Sequence, residues 1–215
     1  MNILFFQILA IVGLAAAIVG LTLRVRATNR RTLPVDRSPV KGDPNKGLAY
    51  AFTLGMMPWA KESTRIHAVA YVRGIGFHVG IFAGLGALLI SPFWDLLPAF
   101  LRTVLVIGLG LGALLGAAGG VMRIAERHLR QISTADDHFA VWLVTAFLTV
   151  AALAVWNAAF VVPMYIVAAL MLVYIPLGKI RHCLYFFFSR RFFGKFVGRR
   201  GVLPHPERIE VGGVK

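Results

Sequence analysis

Five long apolar stretches, separated by polar segments, run through this chain of 215 residues. They cover approximately residues 2–23, 68–90, 99–122, 139–162 and 163–188. An α-helix needs about 20 residues to cross about 30 Å of hydrocarbon, and each stretch reaches that length. Strands of a membrane β-barrel would instead alternate apolar and polar residues over about ten positions. The pattern therefore predicts an all-α integral membrane bundle of five transmembrane helices.

The composition agrees with a membrane protein, because 58% of the residues are hydrophobic and the mean hydropathy is +0.75. We expect one membrane domain over residues 1–203 and a polar tail over residues 204–215. The first apolar stretch lacks a basic start and is followed by arginines instead of a small-residue cleavage site. It is therefore predicted to remain as the first helix.

Lysine and arginine are distributed very unevenly along the chain. Nine lie between positions 24 and 66, three between 123 and 130, and nine after 178. By the positive-inside rule, the two connections and the tail are predicted to be cytoplasmic, with the N-terminus outside. The net charge of +14 then reflects topology and contact with anionic lipid headgroups, so we expect no nucleic acid partner.

The largest polar segment is the connection over residues 24–66, whose first part is broken by prolines and glycines. Its second part mixes aromatic residues such as Tyr50 and Trp59 with charged ones such as Lys61. This mixture is typical of a segment at headgroup level, and equally of a surface that docks a cytoplasmic partner. The basic, aromatic segment that begins at Ser189 has the same character.

Glycines recur every fourth residue on the second and third predicted helices. The two series are Gly76, Gly80 and Gly84, and Gly108, Gly112, Gly116 and Gly120. Small residues at this spacing are well suited to close helix contacts in membranes. A flat porphyrin also needs a groove without side chains, and Gly76 and Gly80 flank His78. Both interpretations stay open at this point.

Four of the six histidines are expected at surfaces or membrane interfaces: His67, His128, His138 and His205. His138 follows two aspartates at the start of the fourth helix, where Ser133 or Thr134 is predicted to cap the helix.

The other two histidines, His78 and His182, lie in or beside apolar stretches, where an imidazole is costly without a partner. They could ligate a haem iron or form a hydrogen-bonded packing pair. The single cysteine, Cys183, excludes an internal disulfide and a cysteine-ligated iron–sulfur cluster, so a redox centre would need other ligands.

Several short motifs resemble the nitrate reductase gamma subunit family, which includes cytochrome b subunits of sulfite-reduction-associated and heterodisulfide-reductase-like membrane complexes. These motifs are FHVGI at 77–81, GG at 119–120, STADD at 133–137 and PLGKIRH at 176–182. The resemblance covers helices two to five. It implies a b-type cytochrome of a bacterial or archaeal cytoplasmic membrane, which exchanges electrons between menaquinone or ubiquinone and a cytoplasmic iron–sulfur subunit docked on residues 24–66 and the tail.

The resemblance also implies a ligand set. His78 and His182 match one haem-ligand pair of the family, whereas the second pair falls on Leu88 and Met164. One haem b is therefore expected, with His67 as the substitute ligand if the depths of the first pair do not match.

Three cations near these positions are candidate contacts. Lys179 and Arg181 would either reach the membrane surface or neutralise haem propionates. Arg73 would orient a quinone or a propionate, or else extend to the surface from its helix.

Two other functions compete with this interpretation. The chain could be a haem-free anchor that docks a redox enzyme to the bilayer. It could also be a small transporter, although the sequence has neither a clear internal repeat nor acidic residues within the apolar stretches. In the favoured interpretation the chain is an electron-transfer subunit and is not catalytic alone.

Overall fold

The computed structural model describes residues 3–32, 36–60 and 66–203, and within these ranges the chain is helical without β-strands. Eight α-helices follow one another in the described ranges: α1 (Ile3–Asn29), α2 (Pro44–Phe52), α3 (Ala68–Leu89), α4 (Ala99–Ala125), α5 (Arg127–Ile132), α6 (Ala135–Trp156), α7 (Val161–Tyr174) and α8 (His182–Arg200). Short 3₁₀ turns occupy Leu54–Met56, Pro58–Ala60, Ser91–Leu96, Ala158–Phe160 and Lys179–Arg181. The predicted all-α class is confirmed.

Four of these helices, α1, α3, α4 and α6, are long and apolar enough to cross a membrane. A fifth span results only if Ala158–Tyr174 and Lys179–Arg200 are counted together as one broken span. These helices are those of a multi-pass membrane protein, as the hydrophobic pattern predicts.

The predicted fifth helix over residues 163–188 is not continuous. Helix α7 ends at Tyr174, a turn follows over 175–178, and α8 begins only at His182. Proline lacks the N–H that a helix interior needs, so Pro176 favours this break. Gly178 completes it, because its amide donates to the Tyr174 carbonyl at 3.0 Å and a side chain there would collide with the Tyr174 ring. His182 therefore opens a new helix instead of lying within the preceding one.

The chain forms two compact units, whereas one domain was predicted over 1–203. The first unit consists of residues 1–26 and 72–181, and the second of residues 27–71 and 182–215. Helices α1 and α3 run through the boundaries, so their ends fall in the second unit. The predicted tail over 204–215 lies outside the described residues.

Helix α6 is the centre of the first unit, because it has the largest buried share among the four spans. Phe147 and Leu148 on this helix are fully buried, together with Leu109 of α4 and Met164 of α7. Helix α1, by contrast, buries mainly small positions, namely Ala10, Gly13 and Ala17, and its larger side chains are mostly exposed. An apolar exterior of this kind is expected where lipid replaces water.

The glycine series make the helix contacts predicted for them. A Cβ atom built on Gly80 would lie 2.8 Å from the Gly112 Cα, so the α3 and α4 backbones touch. Gly116 gives similar room to the Phe77 ring, and Gly120 to the Trp142 ring. Gly108 is the exception, since nothing lies within 4 Å of its built Cβ. Close packing therefore accounts for all of the series except Gly108.

The second unit is built around the contact of α2 with α8. A Cβ atom on Gly47 would lie 2.5 Å from the Gly198 Cα, so these backbones also touch. Helix α8 ends at Gly201, whose φ of 63° is unfavourable for residues with side chains. Gly201 and Val202 donate to the carbonyls of Gly198 and Val197, a hydrogen-bond pattern that terminates α8 with its last carbonyls satisfied.

Asp36 ties the start of the second unit to the end of α8. Its carboxylate accepts hydrogen bonds from the Ser38 hydroxyl at 2.6 Å and from Arg200 Nη1 at 2.8 Å. Hydrogen bonds from Ser38, through its hydroxyl and its backbone amide, and then from Arg200, lower the pKa of Asp36 to about 2. The carboxylate is therefore charged at neutral pH.

Candidate functional site

His78 lies in the middle of α3, on an exposed face of the first unit. Its Nδ1 is 2.7 Å from the carbonyl oxygen of Gly74, one helical turn earlier. A carbonyl can only accept, so Nδ1 carries a proton, and in the neutral ring Nε2 then holds the lone pair. This backbone bond orients the ring in the way that backbone carbonyls orient metal-bound imidazoles.

His182 is the first residue of α8 and is also exposed. It belongs to the second unit, whereas His78 belongs to the first. The two histidines therefore lie in different units, and the ligation of one iron by both of them stays a prediction. His67, the substitute ligand, precedes α3 and is exposed in the same unit as His182.

Arg73 packs against α4 from a position five residues before His78. Its Nη1 donates to the Met122 sulfur at 2.9 Å, and a Cβ atom built on Gly119 would lie 3.2 Å from the same nitrogen. Gly119 therefore makes room for the guanidinium. A thioether is a weak acceptor, so this contact satisfies little of the hydrogen-bonding capacity of the arginine.

Lys179 is paired with a carboxylate of its own unit. Its Nζ lies 3.4 Å from Asp137 at the start of α6, where the Thr134 hydroxyl and the Asp137 carboxylate form a capping box. The predicted cap of this helix is thereby confirmed, and Thr134 is the capping residue. The hydroxyl of Tyr174 donates to Asp136 nearby, a contact that the sequence analysis missed. The sequence signal for this contact was the pair of acids at the start of α6, because carboxylates near an apolar segment need hydrogen-bond donors.

Arg181 donates to the Leu177 carbonyl at 3.0 Å, a contact within its own turn. Both cations predicted to meet haem propionates thus contact groups of the first unit.

Gly76 and Gly80, the candidate porphyrin-packing positions, face α4. A Cβ atom on Gly76 would lie 2.5 Å from a methyl carbon of Leu115, and Gly80 touches Gly112. Helix α4 therefore occupies the smooth face, which favours helix packing over a porphyrin groove.

Leu88 and Met164, which stand at the family's second ligand positions, are both buried in the first unit. Leu88 has no ligating atom. Met164 is fully buried within the apolar core.

A cavity of about 370 Å³ lies next to Leu88, between α1, the end of α3 and α7. Its walls are apolar apart from a hydrogen-bonded chain. Gln7 Nε2 donates to the Tyr165 hydroxyl at 3.3 Å, this hydroxyl lies 2.7 Å from Ser91 Oγ, and Ser91 donates to the Leu88 carbonyl at 2.7 Å. The cavity can hold an apolar molecule, and sequence reasoning missed it because its polar residues come from three separate helical segments.

Two of the remaining histidines, His128 and His138, lie within the described residues. His128 is exposed and lies 3.2 Å from Glu126, and His138 is in the first turn of α6. His205 lies outside the described residues. Within the described ranges, no group of three or more histidine, cysteine or acidic side chains is placed to bind a metal ion. This does not test for a haem, which needs two axial ligands.

Comparison of the chain with protein-family models, with curated proteins and with solved structures finds no match. The resemblance to the nitrate reductase gamma subunit family therefore stays a prediction based on the short motifs.

Proposed function

We propose that this chain is the haem b membrane subunit of a respiratory redox complex. The observation that carries the proposal is His78, an imidazole within an apolar span whose Nδ1 donates to the Gly74 carbonyl. A histidine held in this way presents Nε2 as the ligating atom. Histidines inside membrane spans are uncommon and are usually functional.

The residues present suit a bis-histidine haem in chemical type. His78 would supply one axial nitrogen and His182 the other, with His67 as the substitute for His78. A haem bound in this way would supply one-electron transfer. Because both axial positions of its iron would be filled by histidine, binding of oxygen would be disfavoured. One such group is proposed, since Leu88 and Met164 do not form a second pair.

Arg73 is proposed to orient the quinone or a haem propionate. The argument rests on its position near His78 and on its weak thioether acceptor, which leaves the guanidinium able to bind a better one. Lys179 already pairs with Asp137, and Arg181 already donates to the Leu177 carbonyl. A contact of either cation with a haem propionate would therefore require it to exchange this partner.

The proposed complex lies in a cytoplasmic membrane, with the N-terminus outside and the basic segments in the cytoplasm. Electrons would pass between menaquinone or ubiquinone and an iron–sulfur partner. This partner would dock on residues 24–66 and the tail.

Haem content tests the proposal. We expect the purified full-length chain to show reduced b-type absorbance bands at about one haem per chain. His78→Ala and His182→Ala should lose these bands, whereas His138→Ala should keep them. Retention in His78→Ala together with loss in His67→Ala would identify His67 as the ligand in place of His78. A wild-type chain without bands, expressed with sufficient haem, would overturn the proposal and favour the haem-free anchor.

Quinone-linked turnover tests Arg73 separately. In the assembled complex with unchanged haem content, Arg73→Leu should lower turnover by about tenfold, the effect of one lost charged hydrogen bond. Arg102→Leu, which removes an arginine at the start of α4, is the matched control and should have little effect. Unchanged turnover in Arg73→Leu would exclude the catalytic role of this residue.

A further inference from the structure

Helix α8 carries two adjacent stripes of side chains beside its glycine-lined contact with α2. Arg191, Lys195 and Arg199 recur every fourth residue, and so do Phe188, Phe192 and Phe196. The offset between the series is three residues, so the stripes share one face of the helix. One face of α8 is therefore both cationic and aromatic along its length.

This face forms one wall of a groove of about 660 Å³ in the second unit. The groove is also lined by Thr28 and Asn29 from the last turn of α1, together with Arg31. Arg191, Lys195 and Arg31 are exposed, as are the rings of Phe192 and Phe196. The groove thus combines accessible cations with accessible rings.

The charge of the groove is strongly positive. Four cationic side chains line it, and the one lining carboxylate, Asp36, already accepts hydrogen bonds from Ser38 and Arg200. Arg199 is partly engaged too, since its Nη2 donates to the Ser38 carbonyl at 3.0 Å. Arg31, Arg191 and Lys195 are consequently the side chains best placed to receive an added anion.

The position of the groove along the chain identifies the kind of anion. Helix α1 is long and apolar enough to cross a membrane, and its final turn lines the groove. A groove at the final turn of a spanning helix is expected where that helix leaves the hydrocarbon, at the level of lipid headgroups. Aromatic rings are typical of that level, and arginine and lysine there attract anionic lipids.

We propose that this groove is a binding site for the headgroup of an anionic phospholipid. Arg191, Lys195 and Arg31 bind the phosphate, and the rings of Phe192 and Phe196 contact the glycerol backbone and the first carbons of the acyl chains. The site does not depend on the proposed haem or quinone site, because none of its residues is a proposed haem or quinone contact.

Native mass spectrometry of the full-length chain in detergent tests this site. Phosphatidylglycerol and phosphatidylcholine with identical acyl chains are titrated separately. We expect phosphatidylglycerol to bind more tightly, and the double variant R191Q/K195Q to weaken its binding by about tenfold, as expected for loss of two cations near a headgroup. Binding of phosphatidylcholine should change by less than about twofold.

A matched control removes two other cations of the same unit. The variant K46Q/R190Q has the same net charge as R191Q/K195Q, but neither position lines the groove. It should retain phosphatidylglycerol binding, and so should R191K/K195R, which keeps both charges. Haem content is measured in every variant and should not change, so the result is independent of the redox proposal.

Three results would overturn the site. An equal loss of phosphatidylglycerol binding in R191Q/K195Q and K46Q/R190Q would show that the effect comes from the total charge of the unit. Equal binding of the two lipids by the wild type would remove the headgroup preference. Inorganic phosphate that displaces phosphatidylglycerol at equal concentration would show that the lipid part of the site contributes nothing.

Discussion

Both units of this protein bring helix backbones into direct contact through glycine, yet they stabilise these contacts differently. In the first unit, Gly80 meets Gly112, and the neighbouring Leu148 side chain is apolar. In the second unit, Gly47 meets Gly198, and the same region has Asp36 paired with Arg200. Lipid leaves van der Waals packing as the main force between helices, whereas near water polar contacts can assist it.

The polar contacts of the units differ in position as well. The first unit has polar contacts at the start of α6, where Thr134 and Asp137 cap the helix and Lys179 pairs with Asp137. The second unit adds backbone hydrogen bonds between segments, since the Lys41 amide donates to the Arg199 carbonyl at 2.8 Å. The comparison suggests that loss of a glycine contact affects each unit more than loss of any one polar contact.

The largest effect is expected from Gly47→Val. Its side chain would collide with the backbone of α8 at Gly194 and Gly198, and backbone atoms cannot move aside as a flexible side chain can. We expect a loss of about 3 kcal/mol in the stability of the α2–α8 contact. Hydrogen exchange of the α2 amides should accelerate strongly. The control Gly86→Val, at a position with nothing within 4 Å, should leave α2 exchange unchanged.

A somewhat smaller effect is expected from Gly112→Val in the first unit. The added side chain would meet the Gly80 backbone, but also the flexible Leu148 side chain, which can partly adapt. The expected cost is about 2 kcal/mol, measured as reduced thermal stability in detergent. Gly108→Val on the same helix makes the same change in helix propensity without the contact. Equal melting of the two variants would contradict the packing role of Gly112.

Removal of the α6 cap should have a moderate effect. Thr134→Ala deletes both the hydroxyl acceptor for the Asp137 amide and the hydroxyl contact with its carboxylate. A cost of about 1 kcal/mol is expected, seen as faster hydrogen exchange in the first turn of α6. Thr103→Ala is the control, because the Thr103 hydroxyl bonds only the Ala99 carbonyl of its own helix.

The smallest effect is expected from titration of Asp36. Since its pKa is lowered from 3.8 to about 2, the carboxylate contributes stability that is fully present above pH 3.8 and is lost as the pH falls toward 2. The group is exposed, so the contribution is minor.

Carbon NMR of the Asp36 carboxyl measures this pKa directly. Ser38→Ala should raise the pKa most and Arg200→Gln less, while Arg190→Gln should leave it unchanged. A larger rise of the Asp36 pKa in Arg200→Gln than in Ser38→Ala would show that Arg200, and not Ser38, lowers this pKa most.

Much of the first unit could be predicted from the sequence. Helix α3 was predicted over 68–90 and is Ala68–Leu89, and the predicted start of α4 at residue 99 is confirmed. The cap at Thr134 and the contacts at Gly80 and Gly112 were also predicted. These features are local or periodic, since span length, capping and glycine spacing depend on residues close together in the chain. The division into two units was not predicted.

The candidate site was predictable only in part. The position of His78 within a span follows from hydropathy, whereas its bond to the Gly74 carbonyl required the backbone. The pairing of Lys179 with Asp137 joins residues far apart in the chain, so no short motif indicates it. The break over 175–178 was missed because the apolar character continues through Pro176.

The helical class, the membrane character and the approximate position of the spans follow from the amino-acid sequence alone, because they depend on how many apolar residues stand in a row. Long-range packing sets which atoms each glycine meets, that α2 pairs with α8, and that Asp36 meets Arg200. The contacts of the second unit join segments more than a hundred residues apart, and all of them depend on how whole helices pack.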